Sequence, residues 1–277
     1  MKRKSYGRTL LLGLSITAIL AWSPAVFGSS GGEHGGEHGG GHGEAAAPKS
    51  MTPTETIKAA IEGNDQFKAH HDSNYFEAYQ ECQTPNMTVI TCADSRVHTP
   101  LFGMDCNNNI FIVRNIGNQI VNSEGSVDYG IHHLPTKILF IMGHSSCGAV
   151  KAAMGDYSAE TKGIKRELDT LKPVIAADND EGDFAVRWAK NVEVNVDYQV
   201  NYALNLYRDQ IESGRLAVVG GVYDFNDNYG KGRGTLVITN VNGETDPNRI
   251  MNNDLLKDLT PSEIVNHVGS LAPAVSW

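Results

Sequence analysis

Three residues of metal-binding type stand where a fold could bring them together. Cys92 follows the run Met87 to Thr91 (MTVIT) and opens the segment Cys92-Ala93-Asp94-Ser95-Arg96. His144 and Cys147 follow the run Lys137 to Met142 (KILFIM), in the segment Gly143-His144-Ser145-Ser146-Cys147-Gly148. Short β-branched runs of this kind read as buried strands, and in parallel α/β sheets ligands bind at the carboxyl ends of the strands. A strand-to-helix turn can bring His144 and Cys147 to one point, leaving Cys92 to arrive from a neighbouring strand. Two thiolates and one imidazole suit zinc, and three protein ligands leave a fourth position for water, which implies catalysis more than scaffolding. Spacing alone leaves two other readings open. Cys92 and Cys147 could be buried core thiols, or they could form a disulfide in an oxidising compartment. Cys82 and Cys106 lack comparable companions and read as free core residues or as a pair with each other.

The elements that must position these groups alternate. Further strand-like runs are Ile110 to Val113 (IFIV), Leu216 to Val219 (LAVV) and Thr235 to Thr239 (TLVIT), and helix-like segments span Gly125 to Leu134 and Gly163 to Val174. This alternation predicts an α/β fold with a mainly parallel central sheet flanked by helices. Val192, Val194, Val196, Tyr198 and Val200 alternate like a strand, yet Trp188, Val192, Val196, Val200, Ala203 and Tyr207 recur every three or four residues. The second pattern is longer than a typical strand and predicts a long helix. Another helix should open at Thr52-Pro53-Thr54-Glu55 with a capping box and run to about His70.

The amino terminus has a different composition. Lys2, Arg3, Lys4 and Arg8 precede an apolar run from Leu10 to Trp22, and small residues follow to Gly28. A membrane-spanning helix needs roughly 20 apolar residues, so residues 1–28 read as a signal peptide cleaved after Ala25 or Gly28, with an uncleaved anchor as the rival. Residues 29–50 (SSGGEHGGEHGGGHGEAAAPKS) have no aliphatic or aromatic residues larger than alanine and proline to form a core and read as a disordered tether, or as one whose His34, His38 and His42 collect metal transiently. The remaining 227 residues, from Met51, suffice for one domain. The full chain carries 23 basic and 32 acidic residues, and losing residues 1–28 removes four basic and no acidic ones, which takes the formal charge from −9 to −13. Such acidity argues against a nucleic-acid partner and favours solubility. The predicted location is secreted, in the periplasm, with no stable membrane association after cleavage.

Taken together, Cys92-Ala93-Asp94-Ser95-Arg96, Val113-Arg114-Asn115-Ile116-Gly117-Asn118 and Gly143-His144-Ser145-Ser146-Cys147-Gly148 resemble the β-carbonic anhydrases. Gly63-Asn64, Gly125-Ser126 with Tyr129, Asn191-Val192 and Gly220 to Asp224 (GGVYD) extend the resemblance over about residues 51–240. It implies a β-carbonic anhydrase-like fold and Zn2+ held by Cys92, His144 and Cys147. It further implies an Asp94–Arg96 catalytic dyad, reversible hydration of carbon dioxide to bicarbonate and a proton, and a homodimer or multiple of dimers.

In that scheme Asp94 accepts a hydrogen bond from the attacking hydroxide and Arg96 holds Asp94 ionised and aimed. Two thiolates cancel the charge of the metal, so activity should rise towards alkaline pH. Some family members place the aspartate on zinc in a closed, bicarbonate-stabilised state with a further arginine after the first motif. Here no arginine lies between Arg96 and Arg114, which makes that state less expected. His98 is either a proton shuttle, given the neutral pKa range of imidazole, or an exposed loop residue. Arg114 and Asn115 buttress the site or a subunit interface, and His132, His133 and His267 read as ordinary helix residues. Two alternatives stay open: a hydrolase of carbon disulfide or carbonyl sulfide on the same fold, and a non-catalytic zinc-binding module.

Overall fold

The computed structural model of the chain describes residues 50–178 and 181–272. The expected signal peptide and all but the last residue of the expected tether therefore lie outside the described residues. The chain divides into two compact units between Asn64 and Asp65. The first comprises most of α1 (Pro53–Ala69), whose Thr52 and Glu55 exchange the reciprocal bonds of a capping box.

The second unit holds a five-stranded sheet. In chain order it contains α2 (Ser73–Glu77), β1 (Met87–Cys92), β2 (Ile110–Asn115), α3 (Glu124–His132), β3 (Ile138–His144), α4 (Gly148–Ala153), α5 (Lys162–Asp169) and α6 (Lys172–Ala176). It continues with α7 (Phe184–Leu206), α8 (Arg208–Glu212), β4 (Ala217–Asp224), β5 (Thr235–Val241), α9 (Pro247–Met251) and α10 (Pro261–His267). The strands lie in the order β2-β1-β3-β4-β5. β2, β1, β3 and β4 are mutually parallel and β5 is antiparallel to β4, as the alternation of elements predicts.

Side chains pointing to opposite faces of the sheet build two cores. Ile90, Leu139, Ile141 and Val218 join Val192, Val196 and Val200 of α7, whereas Val89, Phe140, Met142 and Val219 pack beneath Val97 on the other face. The long helix α7 forms as its three-four spacing predicts, with Asp183 accepting the Ala185 and Val186 amides at its start. Its competing alternation also has a structural basis, because Asn191 to Asp197 is buried on every side. Buried Asn195 donates to the Gly117 carbonyl and Gln199 accepts from the Ile120 amide, so polar side chains in this helix brace the β2–α3 connection. Gly143 and Gly220 let α7 approach closely, since a Cβ at either would lie 2.8 or 2.7 Å from Val196 methyls.

One expectation needs correction. The segment Gly163 to Val174 is two helices, α5 and α6, because Pro173 lacks an amide donor and its ring would clash with the preceding turn. No helix among the described residues is long and apolar enough to cross a membrane.

Candidate metal centre

Cys92 ends β1, His144 ends β3, and Cys147 stands immediately before α4. β1 and β3 are adjacent parallel strands, so their carboxyl ends deliver Cys92 and His144 to the same edge. Ser146, in the left-handed region at φ +55°, turns the chain back so that Cys147 joins them. The donor atoms of the three lie within 4.8 Å of one another, and all three residues are buried. All four cysteines are free, which removes both the Cys92–Cys147 and the Cys82–Cys106 disulfide readings. Cys82 is exposed, so it is not a core residue either.

The site fits a soft divalent cation. His144 is fully buried, and its Nδ1 lies 2.9 Å from the Ser145 carbonyl, directing Nε2 towards the sulfurs. That Nε2 has no hydrogen-bond partner. A buried polar atom without a partner is costly, and coordination to a cation would remove the cost. The sulfurs are already polarised. The Cys92 thiol is drawn down to about 4, chiefly by the hydrogen bond from Cys147, against burial and with help from His144 and the Gly117 amide. That amide sits 3.5 Å from Cys92 Sγ. The Cys147 thiol moves the other way, raised by donating to Cys92 and by burial. Their shared hydrogen bond therefore makes the two sulfurs unequal, lowering the Cys92 thiol and raising that of Cys147.

Asp94 and Arg96 meet, as the resemblance implies. Arg96 donates from Nε to Asp94 Oδ1 at 2.9 Å and from Nη2 to Oδ2 at 2.7 Å, a two-pronged contact strengthened by the Arg96 amide. This contact holds the Asp94 carboxyl well below the usual carboxylate range. Asp94 Oδ2 lies 3.8 Å from His144 Nε2, beside the three donors. Arg114 buttresses the site: its guanidinium donates to the carbonyls of Cys92 at 3.0 Å and Asp94 at 2.7 Å. Asn115 braces the following turn, accepting from the Gln119 amide and donating to its carbonyl. His98 is exposed, with Nδ1 3.3 Å from Arg114 Nη1. His132 lies in α3, His133 follows it, and His267 ends α10, all apart from the centre.

Some contributors carry no sequence signal of their own. Trp188 Nε1 donates to the Cys147 carbonyl at 2.9 Å, and buried Asp224 accepts from Ser145 Oγ at 2.5 Å. Asp224 falls within the GGVYD segment, whereas Trp188 reads simply as a helix core residue. An apolar cleft of about 360 Å³ opens beside Cys92 and Asp94, lined by Ile116, Ala149, Ala152, Ile164 and Leu168 among others.

A mainly parallel α/β sheet presenting one imidazole, two sulfurs and an adjacent carboxylate–guanidinium pair at its carboxyl edge defines an open-site zinc protein. The sequence model of a family described as carbonic anhydrase matches residues 87–231, more than half of the chain, and the chain belongs to that family, in its β class. Carbonic anhydrase 2 of Mycobacterium tuberculosis is 28% identical over 64% of this chain and 91% of its own length. The carbonic anhydrase of Mycolicibacterium smegmatis is likewise 28% identical, over 64% of this chain and 92% of its own. Among solved structures, the Coccomyxa β-carbonic anhydrase in complex with acetazolamide superposes with a TM-score of 0.55 at 28% identity, covering 63% of this chain and 83% of that one. A tetrameric β-carbonic anhydrase of Sordaria macrospora gives 0.57 at 26% identity, covering 62% and 94%.

Proposed function

We propose that this chain catalyses the reversible hydration of carbon dioxide to bicarbonate and a proton, with Cys92, His144 and Cys147 holding zinc. The observation that carries the reading is the buried, partnerless Nε2 of His144 within 4.8 Å of two sulfurs. When bound, zinc supplies the Lewis acidity that makes water a nucleophile near neutral pH. The protein's own groups do the rest. Asp94, kept ionised by Arg96, can only accept hydrogen bonds, so it would orient the attacking oxygen by accepting a hydrogen bond from it. Arg96 occupies both Asp94 oxygens, which favours the open arrangement with Asp94 off the metal. Arg114 ties down the backbone on either side of Ala93, limiting drift of both Cys92 and Asp94. The mostly apolar cleft suits a small uncharged substrate, with Asp94 and Cys92 at one side of its wall.

Stopped-flow carbon dioxide hydration on zinc-quantified protein tests the reading. Cys147→Ser should lose both zinc and activity. Asp94→Asn should retain zinc and lose activity by about 10–100-fold, and full activity in Asp94→Asn would instead favour a metal-binding module.

We also infer export to the periplasm, on the basic and apolar pattern of residues 1–28. Amino-terminal sequencing of protein from the periplasmic fraction should begin just after Ala25 or Gly28; an intact Met1 would refute cleavage. Assembly as a homodimer or a multiple of dimers is supported by the tetrameric Sordaria relative, and light scattering on the purified protein would detect it.

A further inference from the structure

Phe225 lies just past the end of β4, the strand beside the one that carries His144, where His144 pairs in register with Tyr223. Its half-buried ring meets two groups of the site at once. The ring centroid is 5.9 Å from that of the His144 imidazole, with 27° between the planes, and Arg96 Cζ sits 4.7 Å over the ring. The backbone carrying the ring is pinned on both sides. The Asp224 carboxylate accepts from Ser145 Oγ and from the amides of Asn226 and Tyr229, and Asn226 Nδ2 donates to Ser146 Oγ at 2.7 Å. Asp224 and Asn226, on either side of Phe225, are thereby tied to Ser145 and Ser146.

We propose that Phe225 is a positioning residue of the reaction: its ring face holds the Arg96 guanidinium in line with Asp94 and backs the His144 imidazole. This rests on the functional reading above. A cation over an aromatic face is attracted by the ring quadrupole, and most strongly where water is partly excluded. An arginine so held keeps its fork aligned for a carboxylate, and a metal-binding imidazole backed by a ring keeps its orientation.

Full-length, zinc-loaded Phe225→Leu and Phe225→Tyr test the role, since leucine keeps an apolar side chain and tyrosine keeps the ring face. Expected for Phe225→Leu is a fall in kcat of about 3–10-fold with KM changed less than about twofold. Zinc release to excess chelator should also be several-fold faster. Phe225→Tyr should stay within about twofold of wild type in both measurements. On an Arg96→Lys background the further loss from Phe225→Leu should shrink to less than about twofold, because the two residues act as one unit. Wild-type behaviour of Phe225→Leu, impairment of Phe225→Tyr equal to that of Phe225→Leu, or fully multiplicative losses would each overturn the proposal. Failure of Phe225→Leu to fold would overturn it as well, by assigning the ring to the core. Wild-type protein that holds zinc without hydrating carbon dioxide would refute the functional reading, and zinc release would still decide the part played by Phe225.

Discussion

At the scale of residues, the site works because each group is held by a neighbour that leaves it little choice. The two oxygens of Asp94 face the two nitrogens of Arg96, so replacing the fork with a point charge keeps the sign and loses the alignment. Arg96→Lys is therefore expected to keep zinc and lower kcat by about 10-fold, as read by stopped-flow and metal analysis on the same sample. His144 has a comparable constraint through the Ser145 carbonyl, and Ser145 in turn through Asp224. Ser145→Ala removes that last tie and should weaken zinc binding by up to about 10-fold in a chelator competition, with far-UV circular dichroism unchanged.

At the scale of elements, α7 is the organising piece, and it carries a buried charge problem. Burial pushes Asp197 up to about 7 from its ordinary 3.8; its bond from Asn240 opposes the shift and the nearby Glu193 adds to it. The folded form thus holds a proton that the unfolded chain has released between about pH 4 and pH 7. Stability from this group is fully present below the unfolded value and is lost as pH rises through the folded one. Asp197→Asn should accordingly raise the melting temperature at pH 8, by an amount corresponding to at most on the order of 4 kcal/mol, with the gap to wild type closing near pH 4. An unchanged gap across that window would mean that the carboxyl is not protonated by burial. The close approach of α7 to the sheet gives a second expectation. Gly220→Ala would set a methyl 2.7 Å from Val196 and should cost about 1–3 kcal/mol in thermal or urea unfolding.

At the scale of the whole molecule, the carboxy-terminal segment is fastened to the centre of α7. Buried Glu193 accepts from Ser270 Oγ, the amides of Leu271 and Ala272, and the Tyr229 hydroxyl, so four donors compensate one buried carboxylate. Deleting residues 270–277 removes three of those donors and leaves the carboxylate largely uncompensated, which should cost about 3–5 kcal/mol. Calorimetry would register the loss, and Glu193→Gln in the truncated chain should recover part of it. An unshifted melting temperature would show that the segment adds nothing to the fold. Tyr229 also connects this anchor to Asp224, since its amide bonds the Asp224 carboxylate while its hydroxyl bonds Glu193.

The local chemistry was legible in the sequence because it depends on residue type and short spacing. Cysteine and histidine directly after β-branched runs, an Asp-x-Arg step, and a three-four pattern sustained along α7 all survive without knowledge of the fold. The break between α5 and α6 is an exception: the sequence reads as one helix-like segment from Gly163 to Val174, although Pro173 sits where the second helix starts. What only the tertiary structure decided were the relations between segments far apart in the chain. That Cys92 and Cys147 are free thiols facing one imidazole, that Arg114 supports the loop of Asp94, and that Phe225 touches both His144 and Arg96 follow from the order of strands in the sheet. Sequence periodicity records which face of a strand or helix is buried; it holds no record of which strand lies next to which, and strand order is what brings these side chains within a few ångströms of each other.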